Sequence, residues 1–340
     1  MNIFTNKVSI IYLLLAAIIG GGISKLVEWR FEKEEIKQNL ELKKQIANNS
    51  NCDYTIHGLK GYKYIKPIFS AEKECESKRF APEKQDIVSI IENEKNSGLL
   101  TYASVYVEDF NNGEWMVINP DQGYHPGSLI KVAVMMSYLR MAETIPGLLD
   151  LNIKYNNDHQ TYPEVAYKAE TIEQGKQYKI KELLYYMIAY SDNRATQVLE
   201  NYLNMEIFKK TFTDMGMKEL NFSDTSYRIT ANGYSVFFKA LYNVGYLTIP
   251  ASEYADSLLT ESKFKDGIIK LLPQEVKVSH KFGEWGDGYN KELHETGIIY
   301  IKNHPYLISI MTRGTDWNKL SDVISRISKL IYDKMEKTSI

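Results

Sequence analysis

Ser128-Leu129-Ile130-Lys131 sets a hydroxyl and an amine three residues apart at the head of the apolar run KVAVMMSYLRMA. On a helix such residues share a face, so the lysine can reach the serine. In a partly dry cleft near the positive end of a helix, an amine of lowered pKa can serve as base for a serine nucleophile. The same spacing occurs at Ser70 to Lys73 and Ser262 to Lys265, but only Ser128 follows a turn, His125-Pro126-Gly127, and opens a strongly apolar helix. Ser191-Asp192-Asn193 occurs once, between the helical patterns LLYYMIAY and RATQVLENYL. Held between two apolar helices, these residues either project into a cleft or form a helix N-cap cluster. Lys281-Phe282-Gly283 lies on the strand pattern from Val276, where alternation puts Lys281 and Gly283 on one face. A glycine there admits a ligand or a second backbone. A lysine guarding an edge strand accounts for Lys281 as well.

The elements that must position these residues follow from periodicity. Asp86 to Glu94 predicts a short helix, and Leu100 to Val107 and Trp115 to Ile118 alternate as strands around the turn Asn111-Asn112-Gly113. From Ser128 to about Leu272 the period is helical, and Lys265 begins a further helix pattern there. Strand patterns return from Val276 to Thr312, and Trp317 to Met335 closes with an amphipathic helix. The predicted class is α+β: an antiparallel sheet built from both ends of the domain, with a helical lobe inserted and a cleft between the two.

Residues 1–24 hold the uncharged run Val8 to Ile23, read as an N-terminal membrane anchor, with a cleaved signal peptide as the alternative. Residues 25–50, with Leu26, Trp29, Ile36, Leu40 and Ile46, suit an exposed helical stalk, either solvated alone or paired as a homodimeric coiled coil. Residues 51–85 form a linker holding Cys52 and Cys75. They are a disulfide candidate, which needs an oxidising compartment, or two unrelated thiols. Residues 86–338 form the globular domain.

Across 340 residues, 41 basic side chains nearly balance 43 acidic ones, and the net charge of −2 gives no footprint for nucleic acid. Two cysteines and six histidines, without zinc-site spacing, predict neither metal nor cofactor. The chemistry must come from side chains.

Taken in order, the three motifs resemble those of the penicillin-recognising serine hydrolases, most closely the class A β-lactamase-like domain. The interval of 63 residues from Ser128 to Ser191 is close to that family's; the 90 from Ser191 to Lys281 is somewhat short. The resemblance covers roughly Asp86 to Met335 and implies an acyl-enzyme mechanism. Ser128 would attack an amide carbonyl with Lys131 accepting its proton, and Ser191 would protonate the departing nitrogen. Asn193 would bind substrate and fix Lys131, while Lys281, beside Gly283, would hold a substrate carboxylate. The backbone N–H groups of Ser128 and Glu284 would form the oxyanion hole.

Three departures accompany the resemblance. Phe282 replaces a hydroxyl residue, and Thr296 stands where an arginine is common. The stretch Met215 to Tyr234 has no room for the loop glutamate that activates the deacylating water; Glu219 follows Gly216 too closely to replace it. His294 is expected in a surface turn, and is a candidate for the site if the fold turns it inward. The implied protein is a single-pass membrane serine hydrolase of the bacterial cell envelope, its domain extracytoplasmic, acting on a β-lactam or a peptidoglycan stem peptide with slow deacylation. A D-alanyl-D-alanine peptidase or transpeptidase, or a non-catalytic cell-wall sensor, are the alternatives.

Overall fold

A computed structural model describes residues 54–59, 68–156, 167, 169–220, 226–302 and 304–338. The expected anchor and stalk lie outside the described residues, as does Cys52. No helix among the described residues is long and apolar enough to cross a membrane.

The described residues begin with the hairpin β1 (Tyr54–Gly58) and β2 (Ile68–Lys73), followed by helix α1 (Ala81–Asn96). The α1 helix starts earlier than the pattern predicts because Pro82 falls in its first turn, where a missing N–H costs nothing. Strands β3 (Leu100–Asp109) and β4 (Glu114–Ile118) form the predicted hairpin. The helical lobe comprises α2 (Ile130–Ala142), the small ladder β5 (Asn152–Lys154) with β6 (Gln177–Lys179), α3 (Ile180–Ala189), α4 (Asn193–Glu200), α5 (Met205–Asp214), α6 (Ala231–Tyr242) and α7 (Ile249–Thr260). Strands β7 (Lys277–Gly286), β8 (Lys291–Tyr300) and β9 (Tyr306–Gly314) and helix α8 (Trp317–Thr338) close the chain. No helix follows Lys265; Phe264 to Leu272 is a series of turns packed on α8.

The sheet order is β4-β3-β9-β8-β7, antiparallel throughout, so strands from both ends of the domain interleave as expected. One face is covered by α8, whose Leu320, Val323, Ile324, Ile327 and Ile331 recur at three- and four-residue steps and are buried. Against the other face lies the helical lobe, centred on α2, which is buried from Lys131 to Leu139. A helix apolar all round needs neighbours on every side, and α2 has them. Lys131 is the cation inside it.

The segment expected as a linker contributes the β1–β2 hairpin and is tied to the domain by a buried ion network. Lys239, 1% exposed, gives hydrogen bonds to Glu72 Oε1 at 2.6 Å and the Tyr106 hydroxyl at 2.8 Å, and pairs with Glu108 Oε2 at 2.8 Å. The Trp115 indole donates to the Lys73 carbonyl at 2.6 Å. Cys75, just beyond the hairpin, is disulfide-bonded.

Candidate active site

The nucleophile turn is assembled from both sides. Gly127, at φ +50°, lets the chain reverse from Pro126 into a single 3-10 turn, Gly127–Leu129, which runs straight into α2. Leu129 N–H closes that turn onto Pro126 O at 3.0 Å, and the buried Tyr234 hydroxyl donates to Leu129 O at 2.7 Å. Upstream, His125 N–H donates to Glu292 Oε2 at 2.7 Å, while Arg313 donates to Glu292 Oε1 at 2.7 Å and to Gly123 O at 3.1 Å. The His125 ring lies flat on Trp285, centroids 3.6 Å apart. Ser128 is thus held half-buried at the mouth of a braced turn.

Lys131, one helical turn on, is 3% exposed. Its Nζ donates to Ser191 O at 2.6 Å, Asn193 Oδ1 at 2.7 Å and Ser191 Oγ at 3.3 Å. These three acceptors match the three protons of an ammonium, and the Ser128 hydroxyl is not among them. Burial pulls the Lys131 pKa down to about 7; the carboxylates of Asp192, Glu200 and Glu284 oppose that pull without overcoming it. Near neutral pH, a large fraction is therefore free amine, the form that can take the serine proton.

Ser191 occupies the left-handed backbone region at φ +55°, which costs a non-glycine residue of order 1 kcal/mol or more. The cost is held in place by Asp192, the N-cap of α4. Its carboxylate accepts from Arg194 N–H at 2.9 Å, the Thr171 hydroxyl at 2.7 Å and Ile172 N–H at 2.9 Å. Both sequence readings of this motif hold at once: Asp192 caps the helix, and its neighbours Ser191 and Asn193 face the lysine.

Lys281 comes from the edge strand β7 and is fully buried. Its Nζ donates to Ser191 Oγ at 2.8 Å and to Phe282 O at 2.8 Å. Burial, followed by the nearby charge of Lys131, holds its pKa well below the usual lysine range. Ser191 therefore accepts from two lysines and has its own proton to give. Two mutually repelling, desolvated amines around one hydroxyl form a path on which a proton moves readily. Gly283 brings β7 against the nucleophile turn: a Cβ there would sit 2.8 Å from Pro126 O and 2.9 Å from Leu129 N.

The departures have structural accounts. The Phe282 ring stacks on Phe264, centroids 4.2 Å apart, and forms part of the core beneath the sheet. Thr296, opposite Lys281 on β8, hydrogen-bonds Ser309 at 2.7 Å and is fully buried. His294 is not in a surface turn. It lies in the interior of β8, fully buried and opposite Gly283, because the alternation of β8 continues inward past Glu292. There His294 accepts from Thr312 N–H at 3.3 Å, stands 3.4 Å from Glu292 Oε2 and meets Tyr124 edge-on, so it braces the turn from behind. Glu219 is exposed, 3.8 Å from Lys209 on the surface.

Sequence reasoning missed Glu292, Arg313 and Trp285. The signal for the first was present: Glu292, His294 and Thr296 make a polar stripe along one face of an otherwise buried strand.

A five-stranded antiparallel sheet with an inserted helical lobe, and a serine, two lysines and a second serine converging between them, defines the penicillin-recognising class of serine hydrolases. Residues 84–335 match the model of the "Beta-lactamase enzyme family", and the chain belongs to that family. No curated protein matches the chain. Among solved structures, a class A β-lactamase representative from Bacteroides cellulosilyticus is 20% identical, with a TM-score of 0.66 over 77% of this chain and 100% of that one. A β-lactamase from Chitinophaga pinensis is 18% identical, with a TM-score of 0.63 over 74% and 98%. PBP-A is 17% identical, with a TM-score of 0.64 over 77% and 99%. A variant of PBP-A is described as an acyl-enzyme complex with penicillin G.

Proposed function

We propose that this protein is a serine hydrolase that opens an amide, either a β-lactam or a peptidoglycan stem peptide, through an acyl-enzyme on Ser128. The observation that carries the reading is the convergence of Lys131 and Lys281 on Ser191 Oγ. Neutral Lys131 takes the Ser128 proton as Oγ attacks the carbonyl. The backbone N–H groups of Ser128 and Glu284 receive the developing oxyanion, each donor worth roughly 3 kcal/mol. Ser191 gives its proton to the departing nitrogen and recovers one from the lysines, so the nucleophile's proton ends on the leaving group. Asn193 keeps Lys131 aimed and presents its amide to the substrate.

Release of the acyl group is slow in this reading. General-base assistance is worth about 10²–10⁴-fold, and the short stretch after α5 carries no glutamate into the site. Placement of the domain outside the cytoplasm, in the cell envelope behind an N-terminal anchor, is supported by the disulfide at Cys75, since such bonds persist in oxidising compartments. Intact-mass analysis of the full chain with penicillin G tests the enzymatic reading. We expect a covalent adduct, mapped to Ser128, that outlives a manual quench. An unmodified protein at millimolar penicillin overturns the β-lactam part, and an adduct on another residue overturns the nucleophile.

A further inference from the structure

We infer that the protein carries a second binding site, for a phosphate monoester, on the face of β7 turned away from the nucleophile. Alternation along β7 sends Lys281 and Gly283 toward the cleft and Val278, His280 and Phe282 to the opposite face, where Val278 and Phe282 join the core. On that face a cavity of about 590 Å³ opens between the end of α7, the turns after Lys265 and the start of β7. That volume is in the range of small-molecule sites. His280 stands in its wall.

His280 is 1% exposed, and its ring is oriented by Glu295 on β8. His280 Nδ1 lies 2.5 Å from Glu295 Oε1, while Glu295 Oε2 accepts from Ile268 N–H at 2.6 Å. A carboxylate that accepts at both oxygens places the ring proton on Nδ1 and leaves a lone pair on Nε2. Among the described residues no group hydrogen-bonds to Nε2. Buried polar atoms are ordinarily paired, so an oriented, unpartnered nitrogen in a cavity wall calls for a ligand that brings a proton.

The rest of the lining calls for an anion. Lys265, Lys270 and Lys277 border the same cavity. Lys270 and Lys277 are exposed and take no hydrogen bond or ion pair among the described residues, and Lys265 gives one bond, to Ser262 O at 3.0 Å. The lining carboxylate, Glu261, already pairs with Lys263 at 3.2 Å. Leu272 and Val278 make part of the wall apolar.

A carboxylate or a sulfate offers the lysines oxygen acceptors but has no proton for Nε2 at neutral pH. A phosphate monoester has both, since its second ionisation lies at about pH 6 and leaves a proton to share between a phosphate oxygen and the imidazole. Whichever atom holds that proton, the bond forms. The remaining oxygens face the ammonium groups, and an apolar ester group packs on Leu272 and Val278.

NMR of the full chain labelled with ¹⁵N-histidine, at constant ionic strength, tests the site, the His280 signals being those missing from His280→Asn. Phenyl phosphate should move the His280 Nε2 signal in a saturable way, with inorganic phosphate and sulfate each about 10-fold weaker. A His280 signal that stays still at millimolar phenyl phosphate overturns the inference. Inorganic phosphate binding as tightly as phenyl phosphate overturns the organic ester, and sulfate binding as tightly overturns the role of Nε2. His280→Asn keeps an N–H toward Glu295 and has no counterpart of Nε2, so ³¹P NMR should show phenyl phosphate bound about 10-fold more weakly. The double variant Lys270→Gln, Lys277→Gln alters only the exposed rim and keeps the buried pair. It should weaken binding about 5-fold and flatten its salt dependence. Unchanged affinity in that variant overturns the anionic ligand.

Discussion

Gly127 rests its bare Cα against the peptide of Glu284: a Cβ at Gly127 would fall 2.5 Å from Glu284 O and 3.0 Å from Glu284 N. The turn that carries the nucleophile therefore sits directly on the edge strand. Two residues 157 apart in sequence bring the Ser128 and Glu284 amides into one neighbourhood, where an oxyanion can be met. Any side chain at position 127 must push β7 away.

Ser128→Ala should abolish covalent labelling by a fluorescent penicillin, while Ser70→Ala and Ser262→Ala should retain it. Ser70 is buried on β2, and Ser262 sits in a turn where Lys265 donates to its carbonyl at 3.0 Å, so neither decoy motif forms a site. Label retained by Ser128→Ala would move the nucleophile elsewhere.

Acylation should depend on pH through Lys131. With its midpoint at about 7, the amine fraction falls as pH drops, so labelling at pH 5 should run about 100-fold below the alkaline plateau. Lys131→Arg, protonated at every accessible pH, should lose labelling throughout. A flat profile between pH 5 and 9 would remove Lys131 from the role of base.

Glu292→Gln should destabilise the domain by about 3 kcal/mol, because it strips a buried partner from Arg313. Burial alone would raise the Glu292 pKa, but His294, Arg313 and the His125 N–H outweigh it and hold the group at about 2. The depressed value means that this stability is fully present above the ordinary carboxylate range and is lost as pH falls through about 2. Urea melts of wild type and variant should accordingly converge in strong acid. A constant difference from pH 7 down to pH 2 would contradict the assignment.

Protein taken from its native host should show no free thiol when alkylated under denaturing, non-reducing conditions, since Cys75 is bonded. Cys75→Ser should lower stability by up to about 3 kcal/mol, the chain-entropy estimate for a loop of some two dozen residues. Reactive thiols in the native material would place the domain in a reducing compartment.

The alternation of β3 and β7 to β9, the three- and four-residue steps of α8 and the three motifs are local patterns of residue type, so the sequence by itself determined the sheet and its helices and singled out Ser128, Lys131, Ser191, Asn193 and Lys281 as candidates. A period states which face of an element is apolar, and a motif states which groups are available. Neither states what lies across a gap. That Lys131 spends its hydrogen bonds on Ser191 and Asn193 rather than on Ser128 depends on how α2 packs against the start of α4. His294 reads as a turn residue because charged neighbours flank it; it is buried because Glu292 beside it is neutralised by Arg313, nineteen residues beyond His294 on β9. Burial then gives these lysines and carboxylates their chemistry, since desolvation depends on every element that closes around a charge, and only the tertiary structure brings those elements together.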